Sequence, residues 1–548
     1  MPQKKKQSKD MVIAALFGIV LSMSLVFGYQ LEKYDHLILA DKRIYILIPV
    51  LAAVIAFISF KSLDYFCEKA GITDKIGLGR GYNRNEFIKV WMIIALCHFI
   101  VLLGVYPGFF VYDAQTEVME VITRSFNTHH PLLHVLLLGG SLAFFHKFTG
   151  SYNAGIFAYT LVQMLVMTAI FTYILSFMKM HGAGKKLRYA TIAYFAVFPT
   201  IVMYTLCSSK DGLFSAFLLL TVLFFIRYLE SGKPKTIQKY GKLFCIAAAL
   251  MMLFRHNGLY AYIVFAAIFY VGYTLAKKKF KRKKNLLKIL VIPVFIFIIV
   301  SKLMEFSLSA ESGEHQEILT VPIQQLGRLY VYDKESFSEE EKEVLFRYIS
   351  DEGLSHYTGR LSDILKLYFN NEAYEEDKGS FWKLWKDKGL SHPVSYLNSW
   401  FLTSYGYWYP GAVINVYKGN TVFTFTYDES SYFGYEVEEP GSRQSLIPVI
   451  DDFYRKLSIE KFQQNIPVIS LFFAPAAYFF ALIYMGILSV KRGRGAYIAP
   501  FLLVFMVWLT VLLGPTYLVR YVVYLWYMIP VFIMFAFGKD YLGKAEEL

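Results

Sequence analysis

Long apolar runs separated by short polar breaks make up most of this chain. Runs fall at 11–29, 43–60, 88–106, 152–178, 188–206, 211–228, 241–254, 258–275, 286–304, 467–489, 496–514 and 519–537. A helix rises about 1.5 Å per residue, so roughly 20 apolar residues cross a hydrocarbon core of about 30 Å. The pattern predicts an all-α polytopic membrane protein with about 12 transmembrane helices. One further run, Pro131 to Phe145, would reach only about 22 Å as a helix. Between the ninth and tenth runs lies a polar segment, 305–466. Within it, 335–350 and 359–388 have helical composition and 412–437 reads as extended, which predicts a mixed α+β domain between a first transmembrane part (1–304) and a second (467–548).

Composition agrees with the pattern. Of 548 residues, 56% are hydrophobic and 18% charged, whereas soluble domains carry about 25% charged residues. The start, Lys4-Lys5-Lys6 and then an apolar stretch to Tyr29, is too long for a signal peptide and lacks a small-residue cleavage site, so it reads as an uncleaved first helix.

Charge changes the picture more. The chain carries 56 Lys and Arg against 42 Asp and Glu, net +14, but residues 305–466 hold 26 acids and 15 bases, so that segment is −11 and the rest is +25. Basic loops at 179–188, 227–242, 277–288 and 491–494 hold twenty Lys and Arg. The positive-inside rule places these loops and both termini in the cytoplasm and the acidic segment outside a plasma membrane, and it removes nucleic acid as a partner. A spanning Pro131–Phe145 would invert all four loops, so 131–147 is expected to be an interfacial helix on the outer leaflet. The four cysteines lie in or beside apolar runs and none in 305–466, which leaves that segment without a disulfide framework.

With that orientation, the polar groups interrupting apolar sequence share the outer face, and ionisable residues at membrane depth mark sites. Asp113, after Tyr112, is placed to accept a proton, ligate a metal or cap a helix starting at Ala114. His129 and His130 precede Pro131, a helix-start signal, and either contact substrate or sit among head groups. Lys210 and Asp211 head the sixth run behind Ser209, a good cap. Arg255, His256 and Asn257 form the tip of a hairpin of two short spans, where a buried arginine requires an anion such as phosphate. Arg520 starts the last run and either snorkels or faces inward as a second phosphate ligand. Trp400, Phe401, Tyr405, Tyr407, Trp408 and Tyr409 form either a sugar-stacking cluster or an interfacial belt. No Walker loop, dinucleotide glycine fingerprint, His-Glu-x-x-His or Cys-x-x-Cys occurs.

This order of elements resembles the GT-C superfamily of polytopic glycosyltransferases, which includes protein mannosyltransferases and lipid A aminoarabinose transferases. The likeness rests on Asp113 in the loop after a core helix, His130-Pro131-Leu132-Leu133, the acidic Asp211 heading a later helix, and Arg520-Tyr521. It covers roughly 88–300 and 515–537; two helices precede that core, and Asp113 has no adjacent acidic neighbour. Val321-Pro322-Ile323-Gln324-Gln325 and His392-Pro393 extend the likeness to a family of membrane proteins of Gram-positive bacteria. The resemblance implies inverting transfer of a sugar from a polyprenyl-phosphate donor to a cell-envelope glycan, lipid or protein acceptor. Asp113 and Asp211 would be catalytic, Asp113 as base or acceptor-orienting group. Arg255, Lys210 and Arg520 would bind the donor phosphate, and His129, His130, His256, Asn257 and Tyr112 would line the substrate site. A divalent cation, Mg²⁺ or Mn²⁺, is the cofactor open to such a site, with Asp113 and Asp211 its ligands if one is used. The alternatives are a glycan polymerase or ligase using a lipid-pyrophosphate donor, a flippase, and a nonenzymatic scaffold.

Overall fold

The computed structural model describes residues 2–70, 78–276, 283–415 and 433–538. The first half runs α1 (Pro2–Tyr34), α2 (Ile44–Ala70), α3 (Arg84–Gly104), α4 (Ala114–Thr123), α5 (Leu132–Thr149), α6 (Tyr152–Met180), α7 (Lys185–Val197), α8 (Pro199–Leu206), α9 (Lys210–Glu230), α10 (Pro234–Phe254), α11 (His256–Ala276) and α12 (Lys283–Leu308). The segment 305–466 holds α13 (Thr320–Tyr332), α14 (Glu339–Tyr348), α15 (Asp351–Ser355), α16 (Asp363–Leu367), α17 (Asn371–Glu376), α18 (Lys378–Ser391), α19 (Pro393–Ser404) and α20 (Pro448–Arg455). The chain closes with α21 (Pro475–Lys491), α22 (Gly495–Ile498), α23 (Leu502–Val511) and α24 (Tyr524–Phe537).

Among the described residues ten helices are long and apolar enough to cross a membrane, α7 and α8 form an eleventh candidate bent by 51°, and Pro475–Lys491 and Gly495–Val511 are shorter apolar helices. The protein is a multi-pass membrane protein built from helices. Pro199 causes the bend, because it has no N–H to continue the ladder of α7 and starts a new helix at its first position. α9 and α24 form the centre, with 83% of their apolar windows buried, against 17% for α2. α2 leaves Ile46, Leu47 and Ile58 exposed.

α5, expected to be interfacial, passes the length and composition test for a span. Just after α3, the Phe109 N–H donates to Leu206 O at 3.1 Å, and Phe109 O accepts from the Ser208 N–H just before α9 at 2.8 Å. These two bonds join the chain after α3 to the chain before α9.

The segment 305–466 differs from the expected α+β domain. Its described residues are helices and irregular chain, and no strand forms among them. Residues 412–415 and 433–437 are extended without a neighbouring strand to pair along their length; 416–432 lie outside the described residues. The helices bury a core of their own, including Ile323, Leu326, Leu345, Leu354 and Phe381. α16 joins this core to the membrane part: Leu365 packs in the former and Ile364 in the latter, while the Ser362 N–H donates to Pro515 O at 3.0 Å.

Candidate functional site

The stitch between Phe109 and Ser208 brings the heads of α4 and α9 together. Ser209 caps α9, its hydroxyl accepting from the Asp211 N–H. Asp113 occupies the cap position of α4 but makes no capping bond; its carboxylate turns to the cations instead. Tyr112 holds a positive φ of 68°, a strained backbone for a residue with a side chain, which turns Asp113 off the line of the preceding chain. α10 ends at Phe254 and α11 starts at His256, so Arg255 is the hairpin tip that the apolar run predicts.

These elements surround a cavity of about 650 Å³ lined by Asp113, His129, His130, Lys210, Arg255, His256, Asn257, Arg520 and Tyr521, with Asp363 and Lys366 of α16 opposite. Lys210 Nζ donates to Asp113 Oδ2 at 2.7 Å, Glu117 Oε1 at 3.1 Å and His130 Nδ1 at 3.1 Å. Arg520 Nη1 donates to the same Asp113 Oδ2 at 3.3 Å. Both cations use Oδ2, the Asp113 side chain is 29% exposed, and Oδ1 takes no hydrogen bond from a described side chain. Arg255 donates to Asp211 Oδ1. Its guanidinium and that of Arg520 each lie 4.7 Å from the Tyr521 ring, so one aromatic side chain spaces the two cations. Arg520 also sits 4.4 Å above Tyr112; it faces inward and does not snorkel.

Burial alone would raise the Asp113 carboxyl, but the charges of Arg520 and Lys210 outweigh it and hold Asp113 well below the usual carboxylate range. Glu117 is likewise pushed up by burial and pulled down further by His134 and Lys210, to about 2. Burial and Lys210 lower His130 to about 3, so it is neutral and accepts from the lysine. Burial lifts Glu120 to about 7. Burial and the Asp113 charge lift Glu438, on the chain passing over the Tyr112–Asp113 turn, to about 8.

Several expected roles change. Asp211, expected to be catalytic and a candidate metal ligand beside Asp113, is 1% exposed. Its Oδ1 is held by Arg255, and its Oδ2 meets Ser209 Oγ at 3.2 Å and Arg520 Nε at 3.9 Å. It is the counter-ion that positions two arginines. Lys210, expected at the donor phosphate, has three N–H donors, and all three are used on Asp113, Glu117 and His130. His129 packs edge-on to His130 at 4.4 Å and lines the cavity with His256. Asn257 also lines it, while its Nδ2 donates to Thr510 Oγ1 at 2.9 Å and ties α11 to α23. Tyr405 and Tyr407 are no sugar-stacking platform: both are fully buried. The Tyr407 hydroxyl donates to Thr516 O and accepts from the Leu518 N–H, each at 3.0 Å, fixing the turn before Arg520.

Sequence reasoning missed Glu117 and the chain behind it. His134 Nδ1 bonds Glu117 Oε2 and its Nε2 bonds the Tyr159 hydroxyl at 2.7 Å. Tyr159 donates to Gln163 Oε1 at 2.8 Å, and Gln163 Nε2 donates to Cys207 O at 2.7 Å. The signal was spacing: Glu117 lies one turn after Asp113, the cap residue of α4, and His134 lies in the first turn of α5, four residues after His130. Asp363 and Lys366 had no signal, because α16 reaches the cavity only through tertiary packing.

For a metal, Asp113, Glu117 and His130 each bring a ligand atom within 4.8 Å of the others. Lys210 is bonded to all three, so the residues present do not fit a divalent ion while the lysine holds that place.

The chain belongs to a family whose model, described as a family of unknown function (DUF6020), matches residues 120–547. The match takes in Lys210, Asp211, Arg255 and Arg520 and begins after Asp113 and Glu117. No curated protein and no solved structure matches the chain.

Proposed function

We propose that this protein is a membrane glycosyltransferase of the GT-C type, moving a sugar from a polyprenyl-phosphate donor to a cell-envelope acceptor at the outer face of the plasma membrane. The observation that carries the reading is one carboxylate oxygen, Asp113 Oδ1, left for a substrate in a cavity that also holds two arginines spaced by Tyr521. A smaller groove of about 260 Å³ supports a lipid donor. It lies between α5, α11 and α12, is lined by Leu132, Leu259, Tyr260 and Phe297, and shares His130, Pro131 and His256 with the main cavity. A phosphate head group meets Arg255 and Arg520 while its isoprenoid tail stays on the lipid side.

In the reaction the bond from the anomeric carbon to phosphate oxygen breaks, and a bond from that carbon to the acceptor oxygen forms. Asp113 Oδ1 accepts the hydrogen bond of the acceptor hydroxyl and orients it. Because its proton affinity is held low, the proton passes on to the departing phosphate or to water. Arg255 and Arg520 bind the growing charge on the phosphate. Asp363 and Lys366 of the acidic segment stand on the acceptor side. Positive-inside charge places this face outside.

The test is release of polyprenyl phosphate from a polyprenyl-phosphate sugar by the purified protein in vesicles. Asp113→Asn is expected to lower release by about 10²-fold, as for a reactant no longer held in position. Release by Asp113→Asn equal to wild type sinks the assignment.

A further inference from the structure

An ammonium has three N–H donors and no acceptor. In Lys210 every one of them meets a different group, the half-buried Asp113 Oδ2 at 2.7 Å and the buried Glu117 Oε1 and His130 Nδ1, each at 3.1 Å. The Lys210 side chain is 11% exposed, Glu117 1% and His130 7%. Two carboxylates and a neutral imidazole converging within 4.8 Å form an oxygen and nitrogen set that Mg²⁺ or Mn²⁺ accepts. Two such carboxylates require a cation between them, because burying them together without one is costly. One position cannot hold both an ammonium and a metal ion.

We infer that Lys210 is a tethered replacement for a divalent cation: its ammonium fills a site built by Asp113, Glu117 and His130, and removing it opens that site to Mg²⁺ or Mn²⁺. The surroundings fit a permanent cation. Ser209 caps the helix that starts at Lys210, which fixes the root of the lysine stem. His134 and the Tyr159–Gln163 chain hold Glu117 from behind, as outer partners hold a metal ligand. The lysine carries one charge where a metal carries two, and Arg520, bonded to the same Asp113 oxygen, supplies the second. The inference does not depend on which reaction the cavity performs, since its readout is metal binding.

The experiment titrates the purified full-length protein in lipid nanodiscs with Mn²⁺ and counts bound ion by electron paramagnetic resonance. Wild type is expected to show no stoichiometric Mn²⁺. Lys210→Ala is expected to bind one Mn²⁺ per chain, at least about tenfold more tightly than wild type, as expected for a site freed of a competing charge. Glu117→Gln in the Lys210→Ala background is expected to abolish that binding. Added Mn²⁺ should also raise the melting temperature of Lys210→Ala and leave wild type unchanged, which covers a variant that folds poorly without metal. Lys210→Met, which fills the space with an uncharged chain, should bind more weakly than Lys210→Ala. The inference is overturned if wild type binds one Mn²⁺ and loses it on Asp113→Asn. It is equally overturned if Lys210→Ala binds none, or stays unfolded with and without Mn²⁺.

Discussion

Buried cations gather at two ends of the helical part, and they are satisfied differently. At the end opposite the cavity, Arg492 and Arg494 are 1% and 3% exposed. Arg492 donates to Ala536 O at 2.6 Å and Gly538 O at 3.0 Å, and Arg494 to Gly538 O at 3.1 Å and Met534 O at 3.3 Å. Those carbonyls lie in the last turn and the cap of α24, where the helix carries its negative pole. At the cavity end, Lys210, Arg255 and Arg520 meet ionised side chains around open space. Cations held by backbone carbonyls complete the fold. Cations held by Asp113, whose Oδ2 alone they use, offer a ligand a charge beside a hydrogen-bond acceptor.

The contrast predicts opposite phenotypes. Arg520→Ala should cost about 10²- to 10³-fold in transfer, as for loss of one donor to developing charge. The folded state should change little, because Asp113 keeps Lys210 and Asp211 keeps Arg255. Arg520→Lys should recover little of the loss, since a point charge cannot span two carboxylates as a guanidinium does. Transfer assays and melting of the same preparations check both statements. A large drop in melting temperature with activity intact would erase the distinction between the two ends.

Arg492→Ala should do the reverse. It strips the Ala536 carbonyl of its arginine and leaves the Gly538 carbonyl to Arg494 alone, an expected loss of about 1–3 kcal/mol, while transfer per folded molecule stays at the wild-type value. Denaturation followed alongside activity separates the two quantities. A smaller effect of mixed kind is expected at Tyr407→Phe. The lost hydroxyl leaves Thr516 O and the Leu518 N–H without that partner, at about 1–2 kcal/mol. It also loosens the turn that aims Arg520, so transfer should fall by about tenfold with KM affected more than kcat.

Most of the helices and one face of the site were legible in the sequence, for a physical reason. Apolar run length and the residues that break the runs are one-dimensional signals, and they located the tip at Arg255 and the start of α4 at Ala114. Asp113, Arg255 and Arg520 were visible because a charge interrupting an apolar run is costly. Glu117 was hidden beside Asp113, since a glutamate in a short amphipathic helix has an ordinary solvated reading. Lys210 was placed correctly and given the wrong neighbours, because sequence shows that a lysine is buried but not which acceptors take its hydrogens. Of the extended stretch expected at 412–437, the described residues 412–415 and 433–437 form no strand, because extended composition does not supply a partner strand.

The gentlest test of the cavity end uses pH. Glu438 belongs to the acidic segment, receives a hydrogen bond from the Tyr112 backbone N–H, and faces the charges of Asp113, Arg520 and Glu436. Burial, with Asp113 adding to it, raises its carboxyl from 4.5 to about 8. The folded protein therefore keeps a proton there that the unfolded chain loses above about pH 4.5. The stability this contributes is complete below that pH and falls as pH rises through about 8. Glu117 has the opposite sign: lowered to about 2, it contributes stability above its usual value that is lost as pH falls toward 2. Glu438→Gln keeps the shape without the titration, so it should match wild type near pH 5 and exceed it near pH 8. The expected difference is on the order of 1 kcal/mol once solvent screening of a partly exposed carboxyl is allowed for. Melting curves of the two proteins at both pH values check this. Parallel pH profiles would show that Glu438 titrates normally and that the acidic segment does not share the electrostatics of Asp113.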